Sequence, residues 1–271
     1  MTTAPADVDT PVDSASLEAR RAVARELQTA FRDSGVHAMP KIGMTAAAPA
    51  VSLTIPLSGW ETSPFLVDGQ LPAANPAAPL QHLLGQHDVH AKVTLVEFGP
   101  ETAAEVAVAT CGDARRLAAL VVERRSEAHN AALRLRAAFT KVGIKEDHIY
   151  VTDGTVQIGD INAPDAVTLL EILTNGRSSA AFNELGLCDR WDAEGWREVE
   201  KLAQLLGRVV SQACGQSIES VPNPACHTCA SSRPHRISLG SASPQHALLL
   251  ANAITAADEP GACGDVAPPD I

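Results

Sequence analysis

The sequence predicts an α+β protein built from divergent, repeated α-β-β-α units, with small antiparallel sheets covered by helices. One helix ending occurs twice: residues 27–36 and 135–144 place Leu, Ala, Phe, Gly and a β-branched residue at the same relative positions. A strand-turn-helix pattern over residues 156–173 recurs over 237–254 without a gap. In addition, Asp153-Gly154 separates two alternating runs, which favours a two-residue hairpin.

The first unit is predicted to begin with a helix that starts near Ser14 or Ser16 and stops at Gly35, a typical residue after a helix end. Residues 50–57 alternate in polarity and predict a short strand. Several prolines follow, so we expect a Pro-rich insertion over about 45–90 that forms an extended loop.

Regular structure is expected to resume with strands over residues 92–98 and 105–110, separated by a Gly-Pro turn. Asp113 is the expected cap of the next helix. This helix, or a broken pair of helices, runs to Val142.

The Asp153-Gly154 hairpin opens the next part of the chain, and a helix over residues 163–173 follows with Asn162 as its cap. Later helices are expected over 194–213 and from Ser243-Pro244 onward. The repeat patterns then define three units, over 16–124, 125–175 and 194–257. The first two occupy residues 16–175, and residues 1–15 and the acidic end, 258–271, are predicted to be disordered tails.

The predicted order over residues 16–174 is helix, three strands, helix, two strands, helix. This order resembles that of the type III secretion chaperones and their relatives. The resemblance is one of topology, and it implies a chaperone-like role in binding partner proteins.

The composition is that of a globular protein with an aliphatic core, since 45% of the 271 residues are apolar and only 3% are aromatic. The formal net charge of −11 disfavours binding to nucleic acids and anionic membranes. The start of the chain lacks the basic and apolar segments of a signal peptide, and we expect a cytoplasmic protein without a membrane span. Abundant Ala and Arg indicate a GC-rich genome, such as an actinobacterial one.

One cysteine pair has a spacing with known chemistry. In Cys226-His227-Thr228-Cys229 the two thiolates could share a structural zinc ion, with His235 as a further ligand. A redox disulfide and two loop cysteines without a role are the alternatives. Three histidines, His82, His87 and His90, also cluster, but their spacing does not place them on one helix face.

A local group of arginines departs from the acidic average. Its members Arg115, Arg116, Arg124 and Arg125 could contact an acidic partner, or could form a solvated helix face with internal ion pairs. The sequence contains no nucleophile elbow and no phosphate-binding loop.

We therefore expect a non-enzymatic protein-binding or adaptor protein with a protein partner and no catalytic residues. An enzyme whose site is assembled from distant residues is the first alternative. A regulator that contacts nucleic acid through the basic helices over 113–141 is the second.

Overall fold

The computed structural model describes residues 15–45, 48–56, 77–145, 149–174, 196–223 and 235–257. These residues form seven helices and eight strands, which divide into two compact units between Ser126 and Glu127. The predicted α+β class is confirmed, since each unit has one four-stranded antiparallel sheet and several helices. No helix of the described stretches is both long and apolar enough to cross a bilayer.

The first unit is a sheet of order β1-β2-β4-β3 with three helices. Its elements are α1 (Leu17–Asp33), β1 (Met39–Ile42), β2 (Val51–Pro56), α2 (Ala77–Gln86), β3 (Ala91–Phe98), β4 (Glu101–Val108) and α3 (Cys111–Glu123). Apolar side chains of all three helices pack with those of the two central strands in one core. That core contains Phe31, Leu53, Leu84 and Leu117, all almost fully buried.

The second unit has the same sheet order, β5-β6-β8-β7, and four helices. Its elements are α4 (Glu127–Lys141), β5 (Tyr150–Thr152), β6 (Thr155–Asn162), α5 (Ala163–Leu173), α6 (Trp196–Cys214), β7 (Ser220–Asn223), β8 (Arg236–Ala242) and α7 (Pro244–Ala257). A separate core joins the four helices to the two central strands.

The repeated helix ending lies at the same place in each unit, at the end of α1 and of α4. Gly35 has φ of 74° and Gly143 has φ of 78°, the left-handed conformation that glycine adopts without strain. The N–H of Val36 donates to the carbonyl of Phe31 at 3.0 Å, and that of Ile144 donates to the carbonyl of Phe139 at 3.0 Å. This bond across six residues is the Schellman ending, which satisfies a carbonyl of the last turn.

The second repeat pattern falls on β6 with α5 and on β8 with α7. These two strands are neighbours in the sheet, with Val156 opposite Ala242 and Ile161 opposite Ile237. The segments 125–175 and 194–257 therefore pair edge to edge in one sheet, whereas segment 16–124 contains a complete sheet of its own. The three predicted segments are distributed over two compact units.

The short strand predicted over 50–57 is confirmed as β2. The expected extended loop over 45–90 is wrong in part, because the helix α2 also lies in this stretch. Pro79 is the third residue of α2, and a proline is tolerated in the first turn, where backbone N–H groups have no helical partner. The strand β1 was also missed, since it has four residues and includes Pro40. The observed order over 16–174 therefore has a helix between the second and third strands and two helices between the fourth and fifth.

The predicted hairpin of the second unit is confirmed. Asp153 has φ of 50° and Gly154 has φ of 71°, so both turn residues have the positive φ that a type I′ turn requires. Thr152 and Thr155 close the turn as opposite residues of β5 and β6.

We expect Gly154→Ala to lower the free energy of unfolding by about 1 kcal/mol, since a Cβ in the left-handed region is strained. Gly85→Ala is the control: Gly85 lies in α2, and an added Cβ meets no atom within 4 Å. Gly85→Ala should raise the free energy of unfolding of the first unit by about 0.5 kcal/mol. Urea unfolding followed by circular dichroism measures both changes, and an equal shift for the two variants would contradict the turn assignment.

Candidate protein-binding edge

Four strands lie at the edges of the two described sheets, and one of them differs from the rest. The strands β1 and β7 have four residues each and contain Pro40 and Pro222, and β5 has three residues. The strand β3 has eight residues and no proline. Short length and proline are the usual protections of an edge against pairing with another chain, and β3 has neither.

The strand β3 pairs with β4 along its whole length, from Ala91 opposite Val108 to Phe98 opposite Glu101. The contacts of Gln81 show which backbone groups face away from β4. The carbonyl of Ala91 and the N–H of Val93 bond to its side chain. Because backbone direction alternates along a strand, the N–H and C=O of Leu95 and Glu97 face the same way. No other described strand lies beside them.

Gln81 occupies the first pairing position of this edge. Its Nε2 donates to the carbonyl of Ala91 at 2.6 Å, and its Oε1 accepts from the N–H of Val93 at 2.8 Å. One amide thus makes the two bonds that the N–H and C=O of one residue in a parallel neighbouring strand would make. Gln81 is held there by α2, whose Leu80, Leu83 and Leu84 are buried in the core.

The far half of β3 is both apolar and exposed. Leu95 is 39% exposed and Phe98 is 41% exposed, and Glu97 is exposed between them. The hairpin of β3 and β4 continues beyond β2, which ends at Pro56 opposite Ala103. Residues 95–98, whose outward backbone groups have no neighbouring strand among the described residues, are called here the β3 edge.

A buried carboxylate, Asp113, connects the start of β3 to α3. It accepts hydrogen bonds from Thr110 Oγ1 at 2.6 Å, the N–H of His90 at 3.0 Å and an Arg116 guanidinium nitrogen at 2.5 Å. His90 Nδ1 lies 3.1 Å from the same carboxylate. The predicted cap is corrected: Thr110 is the N-cap residue, and Asp113, three positions later, bonds back to its hydroxyl.

Burial would raise the pKa of Asp113, but its hydrogen bonds outweigh that effect. The hydroxyl of Thr110 contributes most, followed by the N–H of His90 and the guanidinium of Arg116, and together they lower the pKa to about 2. The carboxylate is thus ionised and fully engaged in structural bonds at neutral pH. This arrangement stabilises the turn into α3 and leaves no proton on Asp113 to transfer.

The structure does not gather the four predicted arginines into one free cationic surface. Arg116 bonds to Asp113 and to the carbonyl of Asp88. Arg115 lies 3.8 Å from Glu26, Arg124 lies 3.4 Å from His87, and Arg125 Nε donates to Ser34 Oγ at 3.3 Å. Each of them has a partner within its own unit, which favours the alternative of a solvated face with internal pairs.

Arg125 also lines an open groove of ≈ 630 Å³ between α1 and α3. Small side chains, among them Ala22, Ala118 and Ala119, line the groove together with charged groups of both signs. A groove of mixed charge does not distinguish an acidic partner from a basic one.

A serine and a histidine touch at the start of α7, where Ser243 Oγ lies 2.6 Å from His246 Nδ1. The same two positions pair at the start of α3, through Thr110 and Asp113, and at the start of α5. At α5 the pair is Asn162 with Asp165, and Asn162 is the N-cap as predicted. Three equivalent pairs at three helix starts indicate capping rather than a catalytic serine.

The predicted zinc ligands Cys226 and Cys229 lie outside the described residues, and His235 lies just before β8. Among the residues that the structure describes, no three His, Cys, Asp or Glu side chains come together to hold a metal ion. His82, His87 and His90 make separate contacts, with Gln86, Arg124 and Asp113. The zinc site at Cys226 and Cys229 stays a prediction.

Comparison with known proteins gives no further assignment. No family model, no curated protein and no solved structure matches this chain. The function must therefore be inferred from the geometry of the site. The β3 edge was missed in the sequence, although its strand was predicted, because alternation does not show which strand is outermost.

Proposed function

We propose that this protein is a non-enzymatic adaptor, acting in the cytoplasm, that binds an extended segment of a partner protein at the β3 edge. A strand added there would bond to the backbone of Leu95 and Glu97, the mode called β-augmentation. The observation that carries the proposal is an eight-residue edge strand without proline or a neighbouring described strand.

Charge supports a protein partner over a nucleic acid. The chain has a formal net charge of −11, and Glu97 and Glu101 lie at the exposed end of the hairpin. A phosphate backbone would be repelled, whereas a basic protein segment would be attracted. Arg115 and Arg116 of α3 are paired with Glu26 and Asp113, so they give no support to binding of a nucleic acid.

The alternative of an enzyme has weaker support. Its two best groups are Asp113 and the contact of Ser243 with His246. Capping explains the contact of Ser243 with His246, and Asp113 is engaged in capping and in bonds to His90 and Arg116. A chaperone-like role is a variant of the same proposal, because such a role also requires binding of an extended segment of a partner protein.

Affinity capture with an edge-blocked variant tests the proposal. Glu97→Pro removes an N–H that faces away from β4, so the hairpin should stay intact while the edge loses a donor. Glu97→Gln is the matched control, because it removes the charge and keeps the N–H. We expect a protein captured by wild type from nuclease-treated lysate to be retained by Glu97→Gln, with some weakening, and lost by Glu97→Pro. Equal capture by Glu97→Pro would contradict binding at this edge.

A further inference from the structure

We infer that Gln81 sets the register and length of the bound segment, so that the site takes a short, basic, extended peptide at Leu95–Phe98. This inference rests on the proposed function and adds the class of ligand and the residue that selects it. The side-chain amide of Gln81 already makes the hydrogen bonds that a neighbouring strand would make. An incoming strand must therefore end where it meets this amide.

The geometry of the stop follows from the two bonds of Gln81. They satisfy the outward carbonyl of Ala91 and the outward N–H of Val93. The carbonyl of Val93 and the outward groups of Leu95 and Glu97 remain for a ligand. A segment that pairs with both residues spans about four residues, since each outward position alternates with an inward one. A longer segment would meet the amide of Gln81, and beyond the carbonyl of Val93 its extra residues would gain no bonds to β3.

The chemistry of the ligand follows from the side chains of the β3 edge. Leu95 and Glu97 lie on one face of the strand, and Val96 and Phe98 lie on the other. A bound strand would place its side chains beside an apolar and an acidic neighbour on one face and beside two apolar neighbours on the other. Alternating basic and apolar residues match this pattern.

A second copy of this chain is a poorer occupant than a basic peptide. Each copy has a formal charge of −11, so like charges would repel at the contact. Pairing Leu95 of one copy with Glu97 of the other would also place the two Glu97 side chains near each other on one face.

The test uses capped peptides of alternating Lys and Val with four, six and eight residues, titrated into the full chain and followed by amide signals in NMR. For wild type, we expect the affinity to be the same for the three lengths within about a factor of two. The amides of Leu95 and Glu97 should become protected from hydrogen exchange, and the amide of Val93 should be unchanged. A steady rise in affinity with length would overturn the role of Gln81.

The variant Gln81→Ala should remove the stop. We expect the eight-residue peptide to bind about tenfold more tightly to it than to wild type, since two further backbone bonds form. The four-residue peptide should bind both equally. Gln86→Ala is the matched control on the same helix, because the described contact of Gln86 is with His82, and it should behave as wild type.

The outcomes separate this inference from the proposed function. If Gln81→Ala and wild type bind every peptide alike, with Leu95 and Glu97 protected, the edge binds strands and the role of Gln81 is wrong. If neither binds, or if peptides N-methylated at alternate residues bind as well as the unmodified ones, binding by strand pairing is wrong altogether. The length series in wild type decides the question even if Gln81→Ala does not fold.

Peptides of alternating Glu and Val should bind at least tenfold more weakly, and equal binding would overturn the basic ligand.

Discussion

Replacing Asp113 by alanine is expected to lower the free energy of unfolding of the first unit by about 3 kcal/mol at pH 7. The side chain is 1% exposed, and its carboxylate accepts bonds from Thr110, His90 and Arg116. Removing it takes away the partner that closes the cap of α3 and leaves the N–H of His90 without its acceptor. Bonds that involve a charged group contribute more than neutral ones, which explains the size of the effect.

The same substitution should change how stability depends on pH. The pKa of Asp113 is about 2 in the folded chain and 3.8 for an ordinary aspartate, so folding favours the ionised form. Such a group contributes stability that is fully present above the unfolded pKa and is lost as the pH falls through the folded one. We expect about 2 kcal/mol of the difference between wild type and Asp113→Ala to disappear between pH 5 and roughly pH 2.

Urea unfolding of both proteins at several pH values measures these quantities, and Asp165→Ala is the matched control. Asp165 has the same position in α5 and bonds to its cap residue Asn162, but it is not fully buried. Its replacement should cost about 1 kcal/mol. A cost for Asp113→Ala no larger than for Asp165→Ala would show that the bonds of Asp113 add nothing beyond capping.

Local signals in the sequence were sufficient where one or two residues decide the structure. Asp153-Gly154 determines its hairpin because the turn needs positive φ at both positions, and Asn162 caps α5 because its side chain accepts from the N–H of Asp165. The repeated glycines Gly35 and Gly143 likewise mark true helix ends. Each of these features depends on residues close together in the chain, so the sequence alone reveals it.

Features that depend on distant pairing could not be predicted in the same way. The strand β1 is recognisable only beside β2, since four residues with a proline carry too little alternation. Asp113 has the sequence context of an ordinary helix cap. Its low pKa comes first from the nearby hydroxyl of Thr110, and then from the N–H of His90, which only folding brings to it, and from Arg116. The β3 edge depends on sheet order, and Gln81 depends on the docking of α2, neither of which leaves a local pattern.

The repeated helix ending also predicts where the two cores are most sensitive. Phe31 is 0% exposed and Phe139 is 1% exposed, at the same position of α1 and α4. We expect Phe31→Ala and Phe139→Ala each to lower the free energy of unfolding of its own unit by about 3–5 kcal/mol, because each removes a buried ring and leaves a cavity. Leu249, on α7 and 44% exposed, is the control, and Leu249→Ala should cost less than about 1 kcal/mol.

Native-state hydrogen exchange locates the effect, because slow amides report the opening of the segment that contains them. Phe31→Ala should speed exchange mainly in α1, the central strands β2 and β4, and α3. Phe139→Ala should do so in α4, β6, β8 and α7. The two phenylalanines lie in separate cores, so the repeat predicts matched effects in different halves of the chain. A large effect from one and a small effect from the other would mean that the shared sequence pattern marks a common helix ending but not a common role in packing.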